Sequence, residues 1–171
     1  MKQIQWSNQV GMSRTILRPL ISTDINLVLQ KTIESWGSEI VVAHGTIFHP
    51  AELPGFGIFI GEEIIGLLTY HIENNSCEII TLNSWQEGKG IGSALINEVK
   101  QVAIQSGCRR LWLVTTNDNT HALNYYQKHG FVIAGIRINS LESARRLKPE
   151  IPLLGFDGIS LRDEIDLEMF L

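Results

Sequence analysis

A chain of 171 residues is long enough for one domain with a core of ordinary size. Hydrophobic residues at 44% and charged residues at 19% exclude a disordered or fibrous chain, and a net charge of -4 argues against nucleic acid as the main partner. The opening MKQIQWSNQV is too polar for a signal peptide and no apolar run reaches membrane-span length, so the expected setting is the cytoplasm, with no membrane partner.

RTILRPL, residues 14–20, reads as a first strand ending at Pro19. Ser22, Thr23 and Asp24 are good caps for a helix whose apolar residues Ile25, Leu29 and Ile33 recur at helical spacing and which Gly37 closes. Residues 38–54, with His44, His49, Pro50 and Pro54, read as a long irregular loop, a kind of segment that is usually functional or mobile. Strand-like runs follow at residues 56–60, 64–72 and 77–82 with hairpin-sized gaps, an antiparallel meander. A glycine stretch then opens a helix with the apolar face Ile91, Leu95, Val99, Val102 and Ala103, ended by Gly107. RLWLVTT, residues 110–116, has the near-continuous apolar character of a central strand. A second capped helix spans residues 119–130, a strand 131–138, a short helix 140–147 and an alternating last strand 164–171. Cys77 and Cys108, each beside an apolar run, read as buried free thiols. The class is α+β, a mixed sheet with helices on its faces, in a single domain over residues 1–171.

Gly88, Gly90 and Gly92 alternate between the end of a strand and the start of a helix. The unpaired N–H groups of a helix N-terminus attract anions, and glycines let a phosphate approach without meeting a β-carbon. Ser93 stands where a dinucleotide fingerprint needs glycine, and Gly90 follows Lys89 where a Walker loop needs Ser or Thr. The five histidines are scattered singly, and neither a nucleophile elbow nor Cys/His metal spacing is present, so no metal is expected.

The run EGKGIGSAL resembles the acyl-CoA pyrophosphate loop of the GNAT N-acetyltransferase superfamily. About thirty residues on, NTHALNYYQKHGF is similar to that family's Asn-x-x-Ala-x-x-x-Tyr-x-x-x-Gly-Phe helix, matched at Asn119, Ala122, Tyr126, Gly130 and Phe131. The element order also matches the family's fold, a central, mostly antiparallel sheet of six or seven strands flanked by helices. The resemblance implies direct transfer of an acetyl group from acetyl-CoA to a primary amine of a small molecule or peptide, or, as the alternative, a non-catalytic acyl-CoA-binding module of the same fold.

It further implies that Glu87, Gly88, Lys89, Gly90, Ile91, Gly92 and Ser93 surround the pyrophosphate, with Leu82 and Asn119 along the pantetheine arm. Tyr126 takes the family's general-acid position, and Tyr125, about 100° round the helix, is expected to pack. Glu78 is the nearest match to the family's base, with Glu73 and His71 as competitors. The family's Gln or Arg is replaced here by Glu87, with Gln86 one place early; a carboxylate there would repel phosphate, so either Glu87 faces solvent or the loop is shifted. Trp36, Glu39 and His44 fall at the expected acceptor mouth, and the alternating last strand is a candidate edge for a homodimer.

Overall fold

The computed structural model describes residues 14–171; the polar start MKQIQWSNQV lies outside them. In chain order the elements are β1 (Thr15–Pro19), α1 (Ile25–Trp36), β2 (Val41–Ala43), β3 (Thr46–Phe48), β4 (Gly55–Ile60), β5 (Glu63–Glu73) and β6 (Ser76–Ser84). These are followed by α2 (Ile91–Gln105), β7 (Arg110–Thr116), α3 (Thr120–Lys128), β8 (Val132–Arg137), α4 (Ser140–Leu147) and β9 (Glu164–Phe170). Seven strands form one mixed sheet in the order β1-β4-β5-β6-β7-β9-β8, antiparallel at every junction except β6 with β7.

Side chains alternate across a strand, so each strand serves both faces. On one face α2 buries Ile91, Leu95, Ile96, Val99 and Ala103 against Phe56, Ile58, Leu68 and Ile79. A β-carbon at Gly66 of β5 would come 2.3 Å from Ile91 Cγ2, so the glycine sets how closely α2 approaches the sheet. On the other face Val28 of α1 packs with Phe59, Ile64 and Leu67. Cys77 and Cys108 are buried and free, and burial pushes the Cys77 thiol up to about 12.

Three expectations need correction. The segment 38–54 is not irregular throughout: β2 and β3 pair as a small antiparallel hairpin. Of the stripe Ile25, Leu29 and Ile33 of α1, Ile25 and Ile33 are exposed and Leu29 is half-buried, and the buried positions are Val28 and Thr32, whose hydroxyl donates to the Val28 carbonyl at 2.8 Å. A hydroxyl that bonds back to its own helix can be buried like an apolar side chain, so the stripe is rotated by one position. The last strand β9 is not an edge, because it inserts between β7 and β8; the sheet ends on β1 and β8. Lys148, buried at the end of α4, donates to the Trp36 and Ile40 carbonyls at 2.8 and 2.9 Å and ties down the connection from α1 to the hairpin. Among the described residues no helix is long and apolar enough to cross a membrane.

Candidate active site

The parallel junction of the sheet is short. Strands β6 and β7 pair only at Ser76–Arg110, Cys77–Leu111, Glu78–Trp112 and Ile79–Leu113. Directly after Ile79 the register of β6 against β5 slips, leaving Ile80 as a bulged extra residue. A bulge bends its strand, and beyond it Leu82 and its neighbours continue beside β5 without pairing to β7. The result is a slot that opens toward the C-terminal ends of both strands, with Leu82 on one wall and Val114–Thr116 on the other.

At the mouth of that slot the chain enters α2 through the glycine stretch. Gly88 and Gly90 have φ of +72° and +70°, and Gly90 is the N-cap, a left-handed position that favours glycine. No side chain caps the first-turn amides of α2, so Ile91, Gly92 and Ser93 start the helix with free N–H groups. Glu87 is exposed, and Lys89 donates to the Gln86 side chain at 2.9 Å.

Gly92, in the first turn of α2, lies close under α3. A β-carbon there would lie 2.4 Å from the Tyr125 hydroxyl, so this glycine makes room for α3. The Tyr125 and His129 rings meet at a 33° tilt with centres 4.1 Å apart, and the His129 Nε2 lies 2.7 Å from Ser93 Oγ. The first turn of α2 is thereby clamped to α3. On α3 itself, Asn119 caps the helix by accepting from the Ala122 amide at 3.0 Å. Tyr126 packs edge-on against Phe131 at 5.6 Å, and burial raises its hydroxyl well above the ordinary phenol value, so it stays protonated at neutral pH.

Glu78 is on the opposite face of β6 from α2. It is only 4% exposed, and both of its oxygens lie against His44 Nε2, at 3.0 and 3.2 Å. His44 sits at the tip of the β2–β3 hairpin, and its backbone N–H donates to Glu164 Oε1 at 2.9 Å. The hydrogen bond to Glu78 raises the His44 pKa, partly opposed by desolvation. Around the pair lies a cavity of about 190 Å³ lined by Phe48, His71, Glu73, Arg110 and Trp112. A wider hollow of about 400 Å³ on α4 shares no residue with it. The structure therefore brings Glu78 together with His44, whereas His71 lines the same cavity beside Phe48, at 5.9 Å between ring centres. Trp36 ends α1, and Glu39 is exposed on the following loop. Among the described residues no group of three or more His, Cys, Asp or Glu is placed to hold a metal.

The Acetyltransferase (GNAT) family model matches residues 25–131. The chain belongs to the GNAT acetyltransferase family. YdhI of Bacillus subtilis is 47% identical over 131 residues, 76% of this chain and 82% of its own length. A streptothricin acetyltransferase of Escherichia coli is 29% identical over 98 residues, 56% of each chain. The GNAT fold recurs in an acetyltransferase from Elizabethkingia anophelis with acetyl-CoA bound, with a TM-score of 0.64, 23% identity and coverage of 92% and 98% of the two chains. The mixed sheet, its single parallel junction and the glycine-started α2 are thus the GNAT architecture.

Sequence reasoning missed the pairing of His44 with Glu78, which lie 34 positions apart. A His-Gly pair between two short β-branched runs was the available signal for the hairpin.

Proposed function

We propose that the protein transfers the acetyl group of acetyl-CoA directly to a primary amine, most plainly that of a cationic small molecule. The observation that carries this reading is the parting of β6 from β7 immediately beside the uncapped first turn of α2. An extended thioester arm fits the slot, since the strand edges facing it have free backbone groups. Its pyrophosphate would then meet the amides of residues 90–93 and the positive end of the helix. Tyr126 supplies the proton to the departing thiolate, and Glu78 belongs to the group that takes the amine's proton. Glu87 is exposed, which is compatible with an anion at the helix start and supports the catalytic reading over a non-catalytic module.

The register places Glu78, Glu164, Asp166 and Glu168 on the face that holds the cavity. Arg137 and Arg110 pair with Asp166 and Glu168, which leaves Glu78 and Glu164 without a permanent cation. Two such carboxylates suit an acceptor that arrives as an ammonium ion. Streptothricin acetylation by a relative points to the same chemistry.

Acetyl-CoA is expected to raise the melting temperature, since a ligand that prefers the native state stabilises it by mass action. Dephospho-CoA should retain most of the effect, because the helix start addresses the pyrophosphate. An unchanged melting temperature at millimolar acetyl-CoA would remove the reading. The acceptor is found by following thiol release over polyamines, amino acids, aminoglycosides, streptothricin and peptide N-termini.

A further inference from the structure

We propose that His44 is the proton acceptor of the transfer and that Glu78 stands behind it, fixing the imidazole, so that the two act as a dyad. This rests on the acetyltransferase reading above. The hairpin turn is His44-Gly45, with φ of +45° and +81°, the two positive values of a type I′ turn. Asn-Gly is the pair such a turn favours, and a non-glycine residue held at positive φ persists only where its surroundings fix it. Here the backbone N–H is held by Glu164 and the ring sits between Trp112 at 5.3 Å and Phe48 at 5.7 Å. The turn does not need a histidine; the imidazole is what the hairpin delivers.

The chemistry follows from which nitrogen bears the hydrogen. Both Glu78 oxygens face Nε2, and a carboxylate only accepts, so Nε2 carries the proton. In the neutral ring Nδ1 then holds the lone pair. It lies 3.4 Å from the Thr46 hydroxyl, and both His44 and Thr46 line the cavity. Glu78 has turned its own lone pairs toward the ring and is the orienting partner.

In the transfer, the amine nitrogen bonds to the acetyl carbonyl carbon and its proton passes to His44 Nδ1. The carbon–sulfur bond breaks and the sulfur takes the Tyr126 hydroxyl proton. His44 then releases its proton to solvent and Tyr126 regains one, so the net change is one proton moved from nitrogen to sulfur. An acceptor that arrives as ammonium first loses one proton to water. The charged groups facing His44 are Glu78 from β6, Glu164 from β9 and Arg137 from β8, with His71, Glu73 and Arg110 across the cavity. The carboxylates outweigh Arg137 and hold the imidazole pKa above its usual value, nearer the working pH of a base.

The test needs no identified acceptor, because water can take the amine's place. Thiol release from acetyl-CoA alone is followed against pH, and the His44 ring is titrated by NMR in the same protein. The wild type should hydrolyse acetyl-CoA above the buffer rate, with a limb that rises through the NMR pKa of His44. The neutral ring should carry its hydrogen on Nε2. His44→Asn keeps a residue that suits the turn and should lose the limb and about 10²-fold or more in rate. Its affinity for acetyl-CoA by calorimetry should be unchanged. Glu78→Gln should move both the limb and the NMR pKa toward acid together. A wild-type rate and limb in His44→Asn, a hydrogen on Nδ1, or no hydrolysis above buffer overturns the proposal. Failure of the acetyltransferase reading is seen separately, as an absence of acetyl-CoA binding in the wild type.

Discussion

Tyr126 and Tyr125 are neighbours in sequence with different surroundings. Tyr126 keeps its proton because burial disfavours the phenolate, which suits the proposed donor to a developing thiolate. Tyr126→Phe keeps the ring and its contact with Phe131, so kcat should fall about 10²–10⁴-fold with little change in the Michaelis constant for acetyl-CoA. A side chain that only packed would give a small loss of stability and a wild-type rate. Tyr125 instead reports on Gly92, over which its hydroxyl lies. Gly92→Ala should lower stability by about 1–3 kcal/mol through overpacking, because the added carbon falls 2.4 Å from that oxygen. In a Tyr125→Phe background the loss should shrink, and a double-mutant cycle in denaturant measures the difference. Additive losses would show that the two do not meet.

At the scale of elements, the β2–β3 hairpin is a pH-dependent attachment. The folded-state pKa of His44 is raised above its unfolded value near ~6.5 by the hydrogen bond to Glu78. The pair's contribution is therefore fully present below that unfolded value and disappears as pH rises through the raised folded one. Thermal unfolding of wild type and His44→Asn should differ most at mildly acidic pH and converge at alkaline pH; a gap that widened with pH would contradict the pairing. This hairpin is also the element that the sequence concealed. Its strands are three residues each and its turn lacks the Asn-Gly signal, so periodicity had nothing to act on. The longer elements were legible because α2 repeats its apolar residues over four turns and β7 is apolar nearly throughout. The face of α1 was misread because Thr32 hides its hydroxyl on its own helix. The place of β9 between β7 and β8 follows from long-range pairing, which no local pattern encodes. The glycine stretch and the Asn119–Tyr126 helix were visible as motifs, whereas the dyad depends on two segments that meet only in the fold.

For the molecule as a whole, one sheet carries the proposed donor slot at the only parallel junction among the described residues, and the carboxylates on the face away from α2. Every strand before that junction comes from the first part of the chain and every strand after it from the last part. The two halves of the sheet are each continuous in sequence and meet along four residue pairs, with Ser106 and Gly107 between them at the end of α2. A chain cut at Ser106–Gly107 and coexpressed as two pieces should reassemble weakly, because Leu111, Leu113 and Leu167 must still find the core that includes Leu95 and Val99. Acetyl-CoA would touch both pieces and should act as an adhesive, so that recovered fluorescence from reporter fragments fused to the halves rises with its concentration. Complementation that ignores acetyl-CoA would mean the ligand does not bridge the halves. Read as a divisible protein, this acetyltransferase becomes a sensor for its own donor.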